Sequence, residues 1–218
     1  MAGLSACSTA TRSSSALQPD WPSVATGNAG VIPRPGIAPA TVVDPRFANV
    51  AARTSWTTML PDSKGMNQMT PIRSVTVHHD GLPSPLASTR SRDAQDRLRT
   101  IRRGHVNHNG WADIGYHFAI DRSGRVWSCR PLVWQGAHVK DRNEGNIGVL
   151  VLGNFEIERP TSAQLNALAI HLKTLVAAYR IPQRKVYTHR EWPGAATACP
   201  GRNLQPAVNR IRDQGLVA

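Results

Sequence analysis

Ile147-Gly148-Val149-Leu150-Val151-Leu152 decides the fold. Six residues without a polar interruption do not alternate as a half-exposed strand would, and they are too few for a helix. They read as a central strand buried on both faces, which requires helices packed above and below the sheet. Before this run, Ser74-Val75-Thr76-Val77-His78 is β-branched and alternating and reads as a strand ending in His78-His79-Asp80-Gly81. Tyr116 to Asp121, a turn at Ser123-Gly124, and Arg125 to Cys129 read as a hairpin. After the run, Thr161-x-x-Gln164 has capping-box form. Leu165, Leu168, Leu172, Leu175, Val176 and Tyr179 then recur at helical spacing, so a helix should run from about 161 to 180 and end before Pro182. Lys185 to His189 reads as a last short strand. Strands and helices alternate without a regular βαβ rhythm. The expected class is therefore α/β, a mixed central β-sheet flanked by α-helices.

Residues 88–103 carry six arginines, with Leu98 and Ile101 three apart. They predict a basic, mostly exposed helix, read as a solvated face rather than a binding patch. Residues 1–45 are rich in Ser, Ala, Thr, Pro and Gly with no apolar period, and read as a flexible segment preceding a domain over 46–218. Within that segment Leu4-Ser5-Ala6-Cys7 has the form of a bacterial lipobox, but only three residues precede it, without a basic or an apolar region. Cys7 is thus a candidate lipid anchor behind a truncated signal, and the alternative is a chance match.

The chain has 218 residues, and its 26 Lys+Arg against 14 Asp+Glu give a formal charge of +12. That charge suits nucleic acid, anionic lipid and anionic envelope polymers alike, and selects none of them. No helix-turn-helix, zinc-finger or RNP-like motif supports a nucleic-acid partner. No stretch approaches the roughly 18 apolar residues of a membrane-spanning helix. Three cysteines without a C-x-x-C support neither a disulfide scaffold nor a cysteine-rich finger.

His78 and His189 stand at strand ends, and Cys199 follows His189 by ten residues. Two imidazoles and a thiolate leave tetrahedral zinc one open position, as a catalytic site requires. On the residues alone, two structural histidines and an inert buried cysteine remain an open reading. A cysteine nucleophile with His189 as its base is another, though it leaves His78 without a role. His79 and His117 should point away from the site by strand alternation, His105 and His108 read as a solvated turn, and Cys129 reads as a small core residue.

Gly110-Trp111-Ala112-Asp113-Ile114-Gly115-Tyr116-His117-Phe118, Gly136-Ala137-His138, Asn146-Ile147-Gly148-Val149, Gly153-Asn154-Phe155, His189-Arg190-Glu191 and Cys199-Pro200-Gly201 occur in that order. Over about residues 50–210 the chain resembles the zinc-dependent N-acetylmuramoyl-L-alanine amidases, a family that includes peptidoglycan recognition proteins and amidase-type phage lysozymes. The resemblance implies one zinc ion held by His78, His189 and Cys199, with Tyr116 and Thr197 as catalytic residues. It implies His138 and Asn143 in the substrate groove, and peptidoglycan or muropeptides as partner. It also implies a monomeric hydrolase acting outside the cytoplasm on the bond between N-acetylmuramic acid and L-alanine. A non-catalytic peptidoglycan-binding module is the competing reading. The His189–Cys199 segment looks about two residues longer than in most relatives, and Glu191 stands where Asp is usual.

Overall fold

The computed structural model describes residues 45–216. Cys7 and the rest of 1–44 lie outside the described residues. The strands are β1 (Ser74–His79), β2 (Phe118–Ile120), β3 (Val126–Ser128), β4 (Asn146–Val151) and β5 (Val186–Thr188). The α-helices are α1 (Ser91–Asn107), α2 (Ser162–Tyr179) and α3 (Gln205–Asp213). The sheet order is β3-β2-β4-β1-β5, antiparallel only between β2 and β3, so the sheet is mixed as expected.

The apolar run lies on β4 at the middle of the sheet, and every residue of that strand is buried. Ile147, Val149 and Val151 face Leu168, Leu172 and Leu175 of α2 and Val208 and Ile211 of α3. Leu150, with Leu152 just beyond the strand, packs instead with Leu98 and Ile101 of α1, Trp56 and Trp127. Each large side chain buried here contributes about 1.5–3 kcal/mol by removal from water. From Ile147 onward the strand is apolar because helices cover both of its faces.

The helix signals act as the sequence suggests. Thr161 Oγ1 accepts from Gln164 N–H and the Gln164 side chain accepts from Thr161 N–H, which closes the capping box of α2. The helix ends at Arg180 in left-handed geometry with φ 52°.

Helix α1 differs from expectation. It extends to Asn107, and its buried stripe contains Arg97 and His105 as well as Leu98 and Ile101. Arg97 donates from Nε and Nη2 to Asp80 at 2.9 and 2.8 Å, so this arginine is an internal strut joining α1 to the end of β1. Arg102 does similar work at the rim of the core, donating to the fully buried Asp113 that Arg53 also reaches. His105 is fully buried rather than solvated, and its Nδ1 accepts from Gly115 N–H at 2.9 Å. Arg90, Arg92, Arg99 and Arg103 remain on the exposed face.

Strand alternation sets the chemistry of β1. Val75 and Val77 face α2 and α3, and His79 follows them, its Nδ1 accepting from Phe155 N–H at 3.1 Å. Ser74, Thr76 and His78 face the opposite side. The register Thr76↔Tyr187 puts Tyr187 of β5 on that same side.

Candidate metal centre

The chain brings His78, His189 and Cys199 together. One ligand atom from each lies within 4.8 Å of the others, and all three residues are buried. His78 comes from β1 and His189 from the turn that follows β5. Cys199 arrives by a return loop whose placement has identifiable causes. Arg190 N–H donates to the Cys199 carbonyl at 3.0 Å, and the Arg190 guanidinium donates to the Ala198 carbonyl, so the residue after one ligand clamps the backbone of the other. Gly201, at φ +94°, has no room for a side chain, since a Cβ would lie 2.4 Å from the Phe155 carbonyl carbon.

Glu191 caps its own turn by accepting from Thr188 N–H and takes two hydrogen bonds from Arg212 of α3. Pro193, Gly194 and Ala196 are exposed, so the stretch between the buried His189 and Cys199 bulges into solvent.

Two imidazoles and a thiol are a donor set that suits a zinc ion. Nitrogens at about 2.0–2.1 Å and a sulfur at about 2.3 Å in a tetrahedron stand roughly 3.3–3.6 Å from one another. His78 Nδ1 and Cys199 Sγ are 3.6 Å apart. Burial, reinforced by His189 and His138, holds His78 well below the ordinary imidazole range, which keeps it neutral with a lone pair to offer. Burial pushes the Cys199 thiol up to about 12, although His79 N–H donates to its sulfur at 3.4 Å. Such a thiol is a poor nucleophile by itself and needs a cation to become a thiolate, which argues against the cysteine-nucleophile reading.

Tyr116 packs against His78 with ring centroids 5.1 Å apart. Burial, then the proximity of Cys199 and Asp80, raises its phenol well above the ordinary range. Thr197 Oγ1 accepts from Cys199 N–H at 3.1 Å, which leaves the hydroxyl proton free to donate elsewhere. Asn143 lines a groove of about 730 Å³ together with Trp111, Ala137, Tyr187 and Trp192, within the roughly 300–1,000 Å³ usual for ligand sites. Trp192 Nε1 donates to Thr76 Oγ1, which ties this groove to the sheet face that carries His78.

His138 is not on the groove wall. It is 1% exposed, because Gly136 and Gly148 leave a slot behind His78 into which its ring fits. Sequence reading also missed the Arg190 clamp and the Asp80–Arg97 strut. Arg190 was visible only as the second residue of His-Arg, and nothing in the sequence paired Asp80 with Arg97. His117 holds β4 in place, with its Nδ1 accepting from Gly148 N–H and its Nε2 3.1 Å from the Trp134 carbonyl.

Fold and site together define an α/β protein with a buried His-His-Cys cluster that could hold a metal ion, on the rim of a mixed sheet. The sequence pattern of the N-acetylmuramoyl-L-alanine amidases matches residues 68–202, and the chain belongs to that family. Human N-acetylmuramoyl-L-alanine amidase is 32% identical over 136 residues, 62% of this chain but 23% of the human protein, so the chain spans about a quarter of that relative. Peptidoglycan-recognition protein LB of Drosophila melanogaster is 31% identical over 162 residues, covering 72% of this chain and 66% of the fly protein. The solved structure of Drosophila PGRP-LB superposes with a TM-score of 0.65 at 28% identity, covering 73% of this chain and 92% of that one. A variant of PGRP-LB was solved in complex with tracheal cytotoxin, and it matches at the same TM-score of 0.65. Among the described residues, no helix is long and apolar enough to cross a membrane.

Proposed function

We propose that the chain is a zinc-dependent peptidoglycan amidase that hydrolyses the amide joining the lactyl group of N-acetylmuramic acid to the L-alanine of the stem peptide. The observation that carries this reading is the convergence of His78, His189 and Cys199 within 4.8 Å, three ligands with a fourth position left over. A zinc ion held there supplies Lewis acidity and a water acidified toward a pKa of about 7.

The chain's own side chains supply position. Tyr116, whose phenol is held above its ordinary range by burial, donates a hydrogen bond that orients the attacking water or the scissile carbonyl. Thr197, its acceptor side already taken by Cys199 N–H, turns its hydroxyl proton toward the oxygen that gains charge. One such donor is worth about 2.7–4 kcal/mol. The groove past Asn143 and Trp192 receives an arm of the muropeptide. The substrate places the enzyme's work outside the cytoplasm.

Cys199→Ser tests the ligand set. Metal content and hydrolysis should fall together, and a variant that loses hydrolysis yet keeps zinc would show that Cys199 is not a ligand. A chain that retains zinc and binds muropeptide without ever cleaving it would be the binding module instead.

A further inference from the structure

His138 makes two contacts that together determine where its protons sit. Its Nε2 lies 3.1 Å from the Asn146 carbonyl oxygen, and its Nδ1 lies 3.0 Å from His78 Nε2. A carbonyl can only accept, so the His138 proton is on Nε2. Nδ1 of the neutral ring is then bare and accepts from His78 Nε2–H. The second nitrogen of His78, Nδ1, is therefore the one left with a free lone pair, and it is the atom facing Cys199 Sγ at 3.6 Å.

The ring of His138 is held in this orientation from several sides. A Cβ on Gly148 would come within 2.6 Å of its Cδ2, and one on Gly136 within 2.5 Å, so both glycines are needed for the ring to enter. His117 meets it edge-on with centroids 5.9 Å apart. Asn143 Oδ1 accepts from the backbone N–H groups of His138 and Val139 at 2.9 and 3.0 Å, which fixes the main chain beneath the ring.

We infer that His138 is the positioning residue of the cation site, setting the tautomer and ring angle of His78 through a carbonyl–His138–His78 hydrogen-bond chain. This rests on the proposed ligand set. Both nitrogens of His138 are used in the chain, so it offers no lone pair of its own, and a third imidazole beside the site leaves the fourth coordination position open. A ligand histidine whose far nitrogen is held in this way is more basic and better aimed, and losing such a partner typically weakens metal binding about 10–100-fold.

The test begins with the zinc-free wild-type protein, labelled with ¹⁵N at histidine. Long-range ¹H–¹⁵N spectra should show His78 and His138 both as Nε2–H tautomers, and Nδ1–H in either overturns the inference. In parallel, zinc dissociation constants are measured by chelator competition for wild type, His138→Leu and His138→Asn. An asparagine amide oxygen takes the place of Nδ1 and can still accept from His78, whereas leucine cannot. The leucine variant should lose about 10–100-fold in zinc affinity, and the asparagine variant should recover most of that loss. Wild-type affinity in His138→Leu overturns the inference. Should that variant fail to fold, the tautomers of the wild-type chain decide. A wild-type chain that binds no zinc would sink the ligand set instead, and the spectra would still report on the hydrogen-bond chain.

Discussion

Replacing Arg97 with Met removes a charge while keeping most of the apolar stem that packs along α1. Asp80 is then left with a side chain 1% exposed and no cation beside it. Two charge-assisted hydrogen bonds are lost, at about 1.5–3 kcal/mol each, or about 3–6 kcal/mol together. Breaking a buried ion pair from one side costs about 3–5 kcal/mol by a separate route. Asp80 keeps the N–H groups of Leu82 and Gly153, which places the expected loss toward the lower end of that range, about 3 kcal/mol. For a domain of this size that lowers Tm by roughly 10 °C. Urea unfolding of Arg97→Met against wild type gives the value directly. Adding Asp80→Asn should make the double variant less destabilised than the sum of the two singles, because the uncompensated charge is gone. A loss below about 1 kcal/mol, the range of surface pairs, would refute the strut.

Other outcomes follow from the buried histidines and the charge. Burial holds His105 and His117 down to about 3 and His171 to about 4, from an ordinary 6.5. The unfolded chain therefore binds protons that the fold refuses, and stability falls as pH drops from about 6.5 toward 4, by up to about 1.4 kcal/mol per pH unit per histidine. The urea midpoint of the zinc-free protein should be lower at pH 5 than at pH 7, and equal midpoints would show that these rings are not buried neutral. On the proposed function, the +12 charge should hold the chain against an anionic wall. Hydrolysis of whole peptidoglycan should then fall with added salt more steeply than hydrolysis of a small neutral muropeptide, and equal sensitivity would remove the electrostatic role.

The layers of the fold were legible because they follow from local pattern. Six apolar residues at 147–152 read as a strand covered on both faces, alternation on 74–79 put His78 and His79 on opposite sides, and the Thr161–Gln164 box fixed the start of α2. What stayed hidden depends on pairing across the chain. The arginine run looked like solvent because the partner of Arg97, Asp80, sits across a loop, and that of Arg102, Asp113, follows the helix. His105 looked exposed beside His108, yet one turn of extra helix carries it under Gly115. His138 could be matched to a groove by motif. Only the β1–β4 register shows that His78 and Asn146 stand on the same face, with the ring of His138 held between them.

The most direct test of the account is to incubate the purified, zinc-loaded chain with peptidoglycan and follow the α-amine of L-alanine that amide hydrolysis exposes. The account predicts stem peptides with free L-alanine amines, their release stopped by a chelator and restored by zinc. Release that continues under chelation would contradict the metal mechanism, and muropeptide binding without any new L-alanine amine would contradict the enzyme.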